Sequence, residues 1–349
     1  MGDRMIRTGK RRALRAIGLA SALVLAAVAT ENRAWAWGHT GHVTIGEIAA
    51  ENLPWQIKAM LGWQSDTAIS EWNAELDVSK GAGQTHDFER DPGHYIDIDD
   101  SGKVLGGVDF NVMPVSRRDF DTALRAGGQT QYSAGYLYYA MIDGWQQVRM
   151  DFAWMRALTV GLRTASNRAD REFFQTQLEL RRRLLLRDIG VWGHYVADGS
   201  QPMHVSVHFN GWGNYPNPNN YTNTPIHAPF EGSFVKSFVT ERAIRAALPR
   251  YRDCGCQIEQ RVHDYLQATL GTVERTYQLA PVSNNYTTPA PAAVGFVTQR
   301  VAAGAAEMRD MVIDAWKSSA DWTVGYPAIK VSDIESGKVK VTRDSFWHD

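Results

Sequence analysis

Val191-Trp-Gly-His194-Tyr-Val-Ala-Asp198 is an apolar helical stretch with two polar residues spaced four apart. Positions four apart on a helix lie one above the other on the same face, so His194 and Asp198 present an imidazole and a carboxylate to one point. His204 follows six residues later, after Gln201-Pro202, and His227-Ala-Pro-Phe-Glu231 repeats the His-x-x-x-carboxylate spacing. Neutral imidazole with carboxylate is the donor set zinc takes where no thiolate is available. Two pairs and a histidine supply five ligands, more than one tetrahedral zinc with an open position uses. The stretch predicts a helical frame and, hung from it, a multi-zinc hydrolase.

Each pair also has a plainer explanation. His194 and Asp198 alone would serve as a buried hydrogen-bonded pair, and His227 and Glu231 as a capping pair, with Pro229 in the first turn of a helix. The third histidine, close behind the end of the first pair, favours metal.

The chain has 349 residues, 44% hydrophobic and 21% charged, an ordinary composition for a globular core. Its first 36 residues read as a secretory signal peptide. Arg4, Arg7, Lys10, Arg11, Arg12 and Arg15 form a basic start, and the apolar run Ile17–Ala29 follows. Ala34-Trp35-Ala36 then offers small residues for cleavage after Ala36. The apolar run has 13 residues, short of the ~20 that a membrane span needs. Lys10-Arg-Arg resembles a twin-arginine signal only weakly. The expected location is periplasmic or extracellular, with no stable membrane anchor and no protein partner implied. Without the seven basic and two acidic residues of 1–36, 30 basic and 36 acidic residues remain, a net charge of −6. A protein that grips duplex DNA by charge alone is usually basic. An anionic substrate would have to be attracted locally, and bound zinc supplies such charge.

Cys254 and Cys256 are the only cysteines. A bridge across so short a loop is strained, and free thiols or a labile disulfide are equally compatible. No CxxC pair exists, so thiolate zinc sites are excluded.

Helical periodicity begins with Val43, Ile45, Ile48 and Ala49 and recurs at 133–163, 168–199, 231–248, 257–280 and 290–319. The Gly-, Pro- and Asn-rich segment 205–226 reads as a long functional loop. Two stretches read as strands, Tyr95–Asp99 and Lys338–Thr342. The expected organisation is a mostly all-α single domain over 37–325 behind the signal at 1–36, with a short extended C-terminal tail at 326–349.

Further candidates lie upstream. His94-Tyr95-Ile-Asp97 follows the turn Asp91-Pro-Gly93, and strand alternation puts His94 and Ile96 on one face, Tyr95 and Asp97 on the other. Trp37-Gly-His39-Thr-Gly-His42 opens the mature chain. His39, His86, His208, His263 and His348 match no ligand spacing; His39 and His208 are the candidates for supporting a ligand from behind.

The order Trp37, His42, Asp77, His94, His194-x3-Asp198-x5-His204, His227-x3-Glu231 resembles the trinuclear-zinc single-strand nucleases of fungi and plants, the nuclease P-one and S-one family. That family shares its fold with bacterial zinc-dependent phospholipases C. The resemblance spans residue 37 to about 320 and involves nine positions in order. It implies three Zn2+: the first on Asp77, His94, His194 and Asp198, the second on His204, His227 and Glu231. The third would take His42, Asp198 as a bridge, and the α-amino nitrogen and carbonyl oxygen of Trp37. It implies a water made nucleophilic between zincs bridged by Asp198, attacking phosphorus in line. Asp77-Val-Ser-Lys80 is similar to the family's Asp-x-x-Arg, with Lys80 offering a point charge to the reacting phosphate where arginine gives a bidentate contact. Tyr95 matches a base-stacking aromatic and Asp97 a base-contacting carboxylate. Glu231 stands where the fungal nucleases have aspartate, and in this it resembles the phospholipases. The expected activity is therefore endonucleolytic hydrolysis of single-stranded DNA or RNA to 5′-phosphate ends, with 3′-nucleotidase activity alongside. The alternatives are a zinc-dependent phospholipase C and a zinc-stabilised binding protein without turnover.

Overall fold

The chain was studied as a computed structural model, which describes residues 37–346. The expected signal peptide at 1–36 and His348 lie outside the described residues. The main helices are α1 (Gly38–Glu51), α2 (Ser65–Asn73), α3 (Leu137–Thr164), α4 (Arg168–Asp198), α5 (Ile258–Leu270) and α6 (Pro291–Ser318). Shorter helical turns join them, and the fold is mostly helical.

α3 and α4 form an antiparallel hairpin because only three residues separate them. Asn167 starts α4 by accepting a hydrogen bond from the Asp170 amide at 2.8 Å. The two helices approach closely where Gly144 faces Trp192; a β-carbon there would lie 2.1 Å from the indole. The buried indoles are satisfied as they must be in an apolar interior. Trp192 donates to the Met141 carbonyl at 2.8 Å and Trp145 to that of Met311 at 2.9 Å, tying α3 to α4 and α6. α1 and α2 pack on the C-terminal half of α4, and α6 closes over α1, α3 and α4. The last turns of α4, with His194 and Asp198, are thereby surrounded. No helix among the described residues is long and apolar enough to cross a membrane.

Several local expectations are corrected. Tyr95–Asp99 makes only isolated bridges, Ile96 to Gly135 and Ile98 to Val104. His94 belongs instead to the tight turn Asp91–His94, so alternation starts one residue later and buries Ile96 and Ile98. The ladders that do form are β1 (Lys103–Val104) with β2 (Val108–Asp109), and β3 (Thr323–Val324) with β4 (Ile329–Lys330). Lys338–Thr342 has no partner strand and is not a strand. Nor is the described part of the C-terminal segment extended: it supplies β4 to the β3–β4 ladder and forms the helical turn Val331–Glu335, and Phe346 packs edge-on against Trp154 and Phe174. Helix 231–248 is broken before Thr240, which caps Glu241–Ala247, and 257–280 is broken at Gly271 and Thr272. Cys254 and Cys256 are joined in a disulfide.

The α3–α4 seam also holds a fully buried carboxyl, Asp151, 2.8 Å from the Arg181 guanidinium. Burial, reinforced by the neighbouring Asp188 carboxyl, outweighs Arg181 and pushes Asp151 up to about 6. Its folded-state affinity for a proton exceeds that of the unfolded chain. The stabilisation this gives is present at low pH and is lost as pH rises through about 6. Asp151→Asn should therefore raise the melting temperature at pH 8 more than at pH 5. The gain is bounded by about 3 kcal/mol for a shift of roughly two units. Equal effects at both pH values in thermal unfolding scans would refute this.

Candidate metal centre

Three groups of buried His, Asp and Glu side chains among the described residues bring their ligand atoms close enough to hold a metal ion. They are His94, His194 and Asp198; His204, His227 and Glu231; and His42, Asp77 and His194.

The end of α4 supplies the first. His94 Nδ1 lies 3.0 Å from His194 Nε2 and 3.1 Å from Asp198 Oδ2. Asp77, in the turn Glu75–Val78 after α2, adds Oδ1 at 3.8 Å from His194 Nε2. The other oxygen of Asp198 faces His42 Nε2 at 3.4 Å. One carboxylate thus addresses two groups with its two oxygens. The His42 and His194 rings are stacked, 3.7 Å apart and within 5° of parallel.

The second group is assembled across the loop 205–226, with His204 before it and His227 and Glu231 after it. A π-helical turn, Pro229–Phe234, carries Glu231 with proline at its start. Glu231 Oε2 lies 2.6 Å from His227 Nε2 and 3.6 Å from His204 Nε2. Such turns leave a helix locally wide and are frequent at functional sites.

The proton positions decide what these atoms can do. His42 Nδ1 faces the Asn73 side-chain oxygen at 3.1 Å, and His194 Nδ1 the Asn73 carbonyl at 2.6 Å. His204 Nδ1 faces the His94 carbonyl at 2.6 Å, and His227 Nδ1 the Phe209 carbonyl at 2.7 Å. A carbonyl accepts only, so each Nδ1 carries the proton, and in the neutral ring the Nε2 lone pair faces inward. His204 Nε2 and His227 Nε2 then oppose each other at 3.1 Å, with the Gln201 amide nitrogen 3.0 Å from His227 Nε2. Two lone pairs at that distance repel unless a cation lies between them. Zinc–nitrogen bonds of about 2.0–2.1 Å at a tetrahedral angle put two nitrogens roughly 3.3 Å apart. Asp198 Oδ1, Glu231 Oε1 and His42 Nε2 are buried with no hydrogen-bond partner. Burying carboxylates this way is costly without a counter-charge. The donor set and its orphaned atoms fit a divalent metal.

The electrostatics agree. Burial alone would raise Asp198, but His194, His204, His42 and His94 around it hold the carboxyl well below its usual range. Burial also opposes ionisation of Asp77, yet His194, Lys80 and His42 bring it down to about 2. Both acids are thereby held in the ionised form, the one in which a carboxylate can take a metal.

The remaining candidates fall as follows. Trp37 is fully buried, its indole donating to the Ala197 carbonyl at 2.9 Å and to Ser200 Oγ at 2.8 Å. It is therefore pinned one residue from Asp198. Lys80 Nζ lies 2.6 Å from Asp77 Oδ1, at the edge of the cluster. Tyr95 is half-buried and its hydroxyl donates to the Tyr132 carbonyl. Burial pushes the Asp97 carboxyl well above the carboxylate range, and its Oδ1 has no hydrogen-bond partner. His208 is no support for a ligand: it stacks on Trp212 and pairs with Asp100 at 2.9 Å. His39 is exposed, His86 pairs with Asp87, and His263 stacks on Phe110.

Sequence reasoning missed four contributors. Asn73 holds two histidines. Gln201 donates to Glu231 Oε2 at 2.8 Å while its own oxygen accepts from the Met203 amide at 2.6 Å. Phe88 and Tyr132, both exposed, stack at 4.4 Å beside Tyr95. Only Gln201 carried a signal, its place between Asp198 and His204.

No protein family, curated protein or solved structure matches this chain.

Proposed function

We propose that this chain is an exported zinc-dependent endonuclease that hydrolyses phosphodiester bonds of single-stranded nucleic acid to 5′-phosphate ends. The observation that carries the metal reading is the opposed Nε2 pair of His204 and His227, with Asp198 facing two further groups through separate oxygens. Zinc bound at such a site activates water at neutral pH and offsets charge on a phosphoryl oxygen. The chain's own residues do the rest. Asp198, with one oxygen toward His94 and the other toward His42, would bridge two of the ions. The Nδ1 acceptors behind His42, His194, His204 and His227 keep the rings in the ligating tautomer. Lys80 adds positive charge beside Asp77. Eight residues in three groups support three ions, and the resemblance adds Trp37 to the third as the ninth ligand position.

The substrate class is supported by aromatics. Tyr95 and the exposed Phe88–Tyr132 stack form a surface on which unpaired bases can lie. Tyr95→Ala should raise KM for single-stranded DNA and RNA, since base stacking is worth ~1–3 kcal/mol. It should leave a small chromogenic phosphodiester without a base unaffected. The deciding measurement is a panel of single-stranded DNA, RNA, phosphatidylcholine and that small diester on zinc-loaded protein. Cleavage of the lipid with no nucleolytic activity would replace the nuclease by a phospholipase C. Equal losses on all substrates would remove the stacking role.

A further inference from the structure

We infer that Asn73 is a positioning residue that sets the His42 and His194 rings together, using its side chain for one and its backbone for the other. This rests on the metal-centre reading and deepens it. Asn73 is the last residue of α2 and is fully buried. Its backbone carbonyl accepts from His194 Nδ1 at 2.6 Å, and its side-chain oxygen accepts from His42 Nδ1 at 3.1 Å. The amide nitrogen faces the Gly190 carbonyl at 3.5 Å. That acceptor fixes the amide's orientation, because turning it over would set two carbonyl oxygens face to face.

The surroundings are cut to admit this residue. A β-carbon on Gly193, the neighbour of His194, would lie 2.6 Å from the Asn73 amide nitrogen and 2.3 Å from the Met308 methyl. One on Gly46 of α1 would lie 3.0 Å from the Asn73 β-carbon. Helices α1, α2 and α4 therefore meet at Asn73 with bare backbone on two sides. The two imidazoles, 152 residues apart in sequence (194 − 42), end up parallel with both Nε2 atoms turned inward.

The division of labour gives an asymmetric expectation. Changing the side chain removes the partner of His42 and leaves that of His194, which is backbone. Outer partners of ligating histidines are worth about 10–100-fold in metal affinity. Asn73→Ala should weaken the zinc held with His42 by that factor, so that it resembles His42→Ala in metal content, while the zincs that do not use His42 stay. Asn73→Asp keeps an acceptor for His42 and, protonated, a donor for Gly190, and should hold the full wild-type complement.

The experiment is elemental zinc analysis and zinc titration against a competing chelator for wild type, His42→Ala, Asn73→Ala and Asn73→Asp, with thermal unfolding of each. Wild-type protein without multiple zincs would overturn the metal-centre reading itself. Wild type with three, together with Asn73→Ala at unchanged affinity, would overturn the role of Asn73 alone. If Asn73→Ala does not fold, Asn73→Asp decides. Full zinc content supports the inference, and loss of one ion defeats it.

Discussion

Asp198→Asn is expected to abolish hydrolysis and to strip at least one zinc from the protein. The two carboxylate oxygens face different partners: Oδ2 lies 3.1 Å from His94 Nδ1, and Oδ1 lies 3.4 Å from His42 Nε2. An asparagine keeps one acceptor but turns an N–H toward a nitrogen or a cation on the other side. It also removes the one charge that His194, His204, His42 and His94 share. The loss of rate should exceed the roughly 10–100-fold that removing an outer partner of a ligand costs. His263→Ala is the control: that ring stacks on Phe110, outside the three groups, and activity should stay near wild type. The checks are kcat on single-stranded DNA and zinc per chain. An Asp198→Asn protein with most of its rate and all its zinc would show that the carboxylate does not bridge.

What could be read before the structure was local in sequence. α3, α4 and α6 announce themselves because apolar residues recur every three to four positions over 28 or more residues, and burial follows that stripe. His194 with Asp198 and His227 with Glu231 are legible for the same reason, since one turn of helix is enough to bring each pair together. Asn73 was not legible. Half of its work is done by a backbone carbonyl, which every residue has, so no side-chain type marks it. His94 was read as part of a strand because alternation of Ile96 and Ile98 was extended one residue too far, into a turn stabilised by Pro92 and Gly93. Lys338–Thr342 alternates as a strand does, but a strand needs a neighbour to pair with, and periodicity says nothing of whether one is present. Only Val341 of the alternating valines is fully buried there, and the chain instead docks by Phe346.

The protein with one extra alanine ahead of Trp37 is expected to fold, to lose one zinc and to lose most of its rate. The structure puts residue 37 where this matters. Its indole is bonded to Ala197 and Ser200, which flank Asp198. Gly38 is turned into the left-handed region, and its α-carbon sits so near the Glu231 carbonyl that a β-carbon would come within 3.4 Å. The backbone at residues 37 and 38 therefore lies between the carriers of two candidate ligands, Asp198 and Glu231, and His42 follows within the first turns of α1. A free α-amino group has a reference pKa of ~7.7–8.0 and gives up its proton readily beside a metal. A peptide nitrogen has its lone pair tied up in resonance and cannot take that place. Cleavage after Ala36 would thus do more than release the protein; it would create a ligand. The plainer role for Trp37 is a core aromatic packed 5.6 Å from Phe230, and this role survives the extension. Melting temperature in chelator reports on that packing and should be unchanged. Zinc content and rate report on the amino group and should both fall. An extended protein with three zincs and full activity would show that the amino terminus is no ligand and leave the third site to His42 and Asp198 alone.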